Sequence, residues 1–110
     1  MKEMNELKSI DQVNAFIDEH KMAFLYISRT NCSVCHALLP QVREMLMQYA
    51  TLQMGYVNAD EVPDIAGHFS IFTVPVLLLF VEGKEMIRDA RFVQMDRLES
   101  QLDKIYHLQE

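Results

Sequence analysis

The 110-residue chain has no tryptophan, two cysteines, three glycines and three prolines, and fewer basic than acidic residues, 10 against 16. The shortage of Lys and Arg leaves a net charge of −6. That argues against nucleic acid or an anionic membrane as the main partner, since both are bound through basic surface. No apolar run approaches the ~20 residues that cross a bilayer; the longest, Val74 to Val81, is short and contains Pro75. The opening residues Met1-Lys2-Glu3-Met4-Asn5-Glu6 lack the apolar stretch of a signal peptide, so the cytoplasm is the expected compartment. No repeat, linker or low-complexity tract divides the chain, which is expected to form one domain over residues 1–110 around a single core. Half of it is hydrophobic and about a quarter charged, the balance of an ordinary globular protein.

What the chain does have is a pair of cysteines three apart, in Asn31-Cys32-Ser33-Val34-Cys35-His36. They follow the apolar run Ala23-Phe24-Leu25-Tyr26-Ile27 and precede the helix-like stretch Ala37-Leu38-Leu39-Pro40-Gln41-Val42. On a helix, positions i and i+3 share one face, so the two thiols can touch. The first, in the opening turn, meets unpaired N–H groups and the positive end of the helix dipole. Both favour the thiolate, the form that attacks disulfides.

Three uses of the pair are open: a dithiol–disulfide couple, an anchor for metal or haem, or two small buried hydrophobes. In a cytoplasmic chain structural disulfides are rare, and a lone CxxC beside a βαβ pattern reads as redox-active. Cys32 to His36 also spells C-x-x-C-H, the haem attachment pattern, but that attachment belongs outside the cytoplasm. A four-ligand zinc site within one chain would need ligands that this sequence does not group. Zinc or an iron–sulfur cluster bridging two chains, two cysteines from each, stays open. Neither a cofactor nor a metal is expected on the redox reading. Thr30 or Asn31 is expected as the helix N-cap, and Asn31, abutting Cys32, is a candidate substrate contact. His36 is expected as a partly exposed helix residue; the alternative is an electrostatic role, tuning the thiols when protonated.

The remaining pattern alternates strands and helices. Ser9-Ile10-Asp11-Gln12 has the form of a capping box, with Val13, Phe16 and Ile17 as the apolar stripe of a helix ending near His20. Ala23 to Ile27 is continuously apolar, as in a strand covered on both faces. The helix after the cysteines carries Leu38, Leu39, Val42, Met45, Leu46 and Tyr49, with Pro40 bending it. Leu52 to Asn58 is a weaker strand containing Gly55, and Pro63 to Phe69 a short helix. Val76 to Val81 is a second apolar strand, and Glu82-Gly83 turns it into Glu85 to Phe92. Asp96 to Tyr106 closes the chain as a helix. With a short strand near Met4 to Leu7, the order is βαβαβαββα, a sheet sandwiched between helices.

That order, with CxxC opening the first long helix, resembles the thioredoxin family over nearly the whole chain. Asn58-Ala59-Asp60-Glu61-Val62-Pro63 is similar to the family's Asn-x-Asp-x-x-Pro segment. Thr73-Val74-Pro75-Val76 and the following apolar residues resemble its cis-proline loop and fourth strand. Glu82-Gly83-Lys84 resembles its hairpin, and Pro40 its helix-bending proline. The resemblance implies an α/β thioredoxin fold, a central mixed sheet of four or five strands flanked by about four helices. It implies Cys32 as the attacking and Cys35 as the resolving thiol, and Val74-Pro75 as a cis peptide whose neighbouring backbone pairs with a substrate strand.

Several residues depart from the family pattern. Asn-Cys-Ser-Val-Cys stands in place of Trp-Cys-Gly-Pro-Cys. Tyr26 occupies the position of the family's buried aspartate, and Tyr56 the position where many members have its lysine partner. The two charges are absent together, as expected, because an unpaired buried charge is costly. Both tyrosines are expected as core packing; a phenol with its usual pKa of about 10 is a poor proton acceptor at pH 7. Arg91 stands near the family's groove-side glycine, where it would stabilise the thiolate and favour anionic partners. The implied activity is thiol–disulfide oxidoreductase, reducing protein or low-molecular-weight mixed disulfides, with electrons from a separate reductase or small thiol. A monomer is expected. The other class is a non-catalytic interaction module that keeps the fold.

Overall fold

The computed structural model describes residues 2–109. It contains β1 (Met4–Glu6), α1 (Ile10–Glu19), β2 (Met22–Ser28), α2 (Ser33–Leu46), β3 (Gln53–Asn58), α3 (Ile65–Phe69), β4 (Val76–Val81), β5 (Lys84–Ala90) and α4 (Met95–Leu108). The five strands form one mixed sheet in the order β1-β3-β2-β4-β5. β3 runs parallel to both β1 and β2, whereas β4 is antiparallel to β2 and β5 to β4.

β2 lies at the centre, every residue buried, which explains its unbroken apolar sequence. Successive strand side chains point to opposite faces, and the core divides accordingly. Met22, Phe24 and Tyr26 pack with Leu77, Leu79, Val42, Leu46, Leu98 and Leu102, on the face covered by α2 and α4. Ala23, Leu25 and Ile27 pack with Val76, Leu78, Val13, Phe16, Ile17 and Ile65, on the face covered by α1 and α3. The cysteine-bearing helix therefore sits on the same side of the sheet as Tyr26.

Most boundaries follow the sequence pattern within one or two residues. Ser9 caps α1, its side chain accepting from the Gln12 N–H at 3.1 Å. The Gln12 carboxamide, however, accepts from the Lys8 N–H at 2.7 Å, one residue beyond the cap. α3 is shorter than the stretch Pro63 to Phe69, because Asp64 is its N-cap and Ser70, in the left-handed region at φ 55°, ends it. α2 ends at Leu46, so Tyr49 packs from the turn that follows. In the hairpin both Glu82 (φ 51°) and Gly83 (φ 80°) are left-handed, as a two-residue turn between the paired Val81 and Lys84 requires.

Gly55 in β3 has a packing reason. A Cβ there would lie 2.8 Å from Leu7 Cδ1, 2.9 Å from Leu25 Cδ2 and 3.0 Å from Phe16 Cε2. The three side chains close over the glycine, so the weak strand propensity of this position is offset by the packing of its neighbours.

Candidate active site

β2 delivers the chain to the top of the sheet, and α2 leaves from it with both cysteines in its first turn. Cys32 and Cys35 are joined in a disulfide with their Cα atoms 5.3 Å apart. Cys32 is partly exposed and Cys35 is completely buried. Cys32 itself is the N-cap, its sulfur accepting from the Cys35 N–H at 3.2 Å. This corrects the expectation of a cap at Thr30 or Asn31. With the two cysteines bonded, the Cys32 sulfur already lies over the first turn and takes the place of a capping oxygen. Further along the helix, Pro40 lacks the N–H that would bind the His36 carbonyl.

Of the expected site residues, the structure places Asn31 and Val74 at the cleft with Cys32, whereas Arg91 is tied by its backbone to Pro75. Asn31 and Val74 line a cleft of about 330 Å³ with Cys32, Arg29 and Asp60. The Val74-Pro75 peptide is cis. Pro75 is buried, and its carbonyl accepts from the Arg91 N–H at 2.8 Å. Arg91 has a left-handed backbone, φ 67°, and its guanidinium lies 5.0 Å from the centroid of the Phe92 ring. A side chain in that conformation meets a steric penalty that glycine avoids.

Tyr26 is part of the core and also touches the site. Its buried hydroxyl donates to the Cys35 carbonyl at 2.6 Å, and its ring stacks on Tyr56 with centroids 6.2 Å apart. Burial pushes its phenol well above the ordinary value of 10, so it stays protonated and acts as a donor. Among the described residues no carboxylate, imidazole or amine is buried. The Cys35 thiol therefore has no interior base to take its proton.

One network escaped the sequence reading. Asp60, in the loop after β3, accepts from Arg29 Nε and Nη2 at 3.0 and 2.8 Å with one oxygen, and from the Thr30 N–H at 2.8 Å with the other. Asn58 donates to the Thr30 hydroxyl at 3.0 Å, and His36 Nε2 lies 2.9 Å from the Thr30 carbonyl oxygen, which makes that nitrogen the donor. The Thr30 N–H, then the Arg29 guanidinium, hold the Asp60 carboxyl below its ordinary 3.8. These contacts fix the β2–α2 loop directly ahead of Cys32. Only the nearness of Arg29 and Thr30 to the cysteines could have signalled them, because their partner is about thirty residues away. Among the described residues no three His, Cys, Asp or Glu side chains group as metal ligands.

Comparison with known proteins decides the family. A family model described as thioredoxin matches residues 5–104. The chain belongs to the thioredoxin family. It is 52% identical, over all of its length and 98% of the relative's, to the thioredoxin-like protein YdfQ of Bacillus subtilis. It is 25% identical to thioredoxin-1 of Saccharomyces cerevisiae over 77% of this chain and 82% of that one. Among solved structures, oxidised thioredoxin O2 of Arabidopsis thaliana superposes with a TM-score of 0.82 at 23% identity, covering 94% of each chain. That likeness shows the thioredoxin fold: the five-stranded mixed sheet with four helices. The family and the Cys32–Cys35 pair make this thioredoxin-like protein a thiol–disulfide oxidoreductase. No helix among the described residues is long and apolar enough to cross a membrane.

Proposed function

We propose that this thioredoxin-like protein reduces protein or low-molecular-weight mixed disulfides by cycling Cys32 and Cys35 between dithiol and disulfide. The supporting observation is the unequal exposure of the two sulfurs: Cys32 opens on the cleft while Cys35 is sealed beneath it. Only Cys32 can meet a substrate disulfide first. In the reduced protein the Cys35 N–H and the other free N–H groups of the first turn favour the Cys32 thiolate.

The thiolate attacks one substrate sulfur in line, forms a mixed disulfide and expels the other sulfur as a thiolate. Cys35 then attacks the Cys32 sulfur, breaks the mixed disulfide and closes the intramolecular bond. Without an interior base, the Cys35 proton passes to the departing substrate thiolate or to water. Two electrons from a separate reductase or small thiol restore the dithiol. Asn31, Val74 and Pro75 line the approach, with the backbone beside Pro75 pairing with a substrate strand and Arg91 attracting an anionic group. The cycle needs no bound cofactor or metal. The protein would work as one monomeric domain in the cytoplasm.

Replacing the resolving thiol tests these roles. Cys35→Ser should still attack a substrate disulfide and then stall, with the substrate held on Cys32 as a stable mass adduct. Cys32→Ser should form no adduct. An adduct on Cys35 in Cys32→Ser, and none in Cys35→Ser, would reverse the roles.

A further inference from the structure

Thr30 is exposed, yet its N–H, its hydroxyl and its carbonyl are all bound within the protein. The N–H donates to Asp60 Oδ2 at 2.8 Å and the hydroxyl accepts from Asn58 at 3.0 Å, bonds that reach 30 and 28 residues along the chain. Asn58 in turn accepts from the Asp60 N–H at 2.9 Å, so the two partners hold each other and fasten Thr30 to the loop after β3. The Thr30 carbonyl accepts from His36 Nε2 at 2.9 Å, six residues ahead. That bond passes over the whole Cys32–Cys35 segment and ends on the residue after the buried sulfur. Water could satisfy every one of these groups, whereas holding them inside costs conformational freedom.

The two sulfurs depend on this clasp unequally. Cys35 is held from beneath: it is fully buried, and Tyr26 donates to its carbonyl at 2.6 Å. Cys32 is partly exposed and stands at the helix boundary as the N-cap. When the disulfide opens, the segment carrying Cys32 is therefore the one able to swing away. The Thr30–His36 bond closes a second, non-covalent ring around that segment, outside the ring closed by the disulfide.

We infer that His36 is a positioning residue for the redox couple: its Nε2–H, bound to the Thr30 carbonyl, keeps the reduced Cys32 beside Cys35 and so favours closure of the disulfide. The inference rests on the proposed Cys32–Cys35 cycle. The disulfide holds the geometry that the clasp needs, and the clasp holds the geometry that the disulfide needs, so each strengthens the other to the same degree. Without the clasp the oxidised form loses a whole bond, while the reduced form recovers chain freedom in exchange. The balance moves towards the dithiol and the potential rises. An imidazolium charge acting on the thiols has the opposite sign. It stabilises a thiolate, hence the reduced form, and its removal lowers the potential.

The test equilibrates the full chain with reduced and oxidised dithiothreitol and traps the free thiols. Closing the Cys32–Cys35 bond passes two electrons and two protons to the cyclic disulfide of oxidised dithiothreitol, which opens to two thiols. His36→Ala should weaken closure about threefold, the modest end for a hydrogen bond between exposed groups, which raises the potential by about 14 mV for a two-electron couple. His36→Gln places an N–H donor as many bonds from Cβ as the imidazole Nε2 and carries no charge, so it should keep the wild-type potential. His36 is exposed, so the fold should survive both substitutions, as unchanged circular dichroism would show. An unchanged or lowered potential in His36→Ala, or a His36→Gln potential equal to that of His36→Ala, overturns the inference and leaves the cycle standing. A wild-type protein that forms no intramolecular disulfide overturns both.

Discussion

Tyr26 shows how one side chain serves packing and site together. Its ring fills the centre of the sheet, and its hydroxyl ties the buried strand to the backbone of the resolving cysteine at 2.6 Å. Tyr26→Phe keeps the ring and removes that bond. The expected cost is about 1 kcal/mol, the net worth of a typical internal hydrogen bond, seen as a lower urea midpoint with an unchanged slope. No change in midpoint would show that the bond contributes nothing. At this scale the sequence was legible where chemistry depends on spacing, as for Cys32 and Cys35 or the Ser9 cap. The Asp60 contacts to Arg29 and Thr30 were hidden because they join residues far apart in the chain. The left-handed backbone of Arg91 was equally invisible, since nothing in its side chain asks for it.

At the scale of elements, the unbroken apolar runs of β2 and β4 made the buried strands readable, and the 3.6-residue stripes did the same for α1 and α4. β3 was the weaker reading because Gly55 has poor strand propensity. Its presence follows from three neighbouring side chains, two of them on other elements, closing within 2.8–3.0 Å of where a Cβ would sit. Gly55→Ala should therefore destabilise the protein by about 1–3 kcal/mol through overpacking, although alanine is the better residue for an isolated chain. A measured stabilisation would mean that Leu7, Leu25 and Phe16 yield without cost. The cap of α2 was misread for a related reason: the usual preference for oxygen-bearing caps gives way when a bonded sulfur already lies over the turn.

For the molecule as a whole, the alternation of elements indicated layers of helix on a sheet and the family resemblance a mixed sheet of four or five strands, but the strand order β1-β3-β2-β4-β5 emerges only in the structure. Spacing alone does not say which strands pair. The buried tyrosines give the assembled core a pH signature. Burial, then the Asp103 carboxylate, pushes Tyr49 up to about 12, and Tyr26 is raised further by burial. The folded state thus keeps protons that the unfolded chain releases from about pH 10 upward. Their contribution to stability is complete below pH 10 and is lost as pH rises through the folded values. Unfolding free energy should fall between about pH 10 and 12, and Tyr49→Phe should make that fall shallower; an equally steep fall in Tyr49→Phe would place its origin elsewhere.

The reduction potential of the Cys32–Cys35 couple, measured by equilibration with dithiothreitol or glutathione buffers and thiol trapping, tests the proposed reductase most directly. A single two-electron transition near −270 mV, about the value of thioredoxin itself, is the expected result. A value between about −180 and −120 mV would make the protein an oxidant or isomerase, and the absence of any intramolecular disulfide across the range would contradict the cycle altogether.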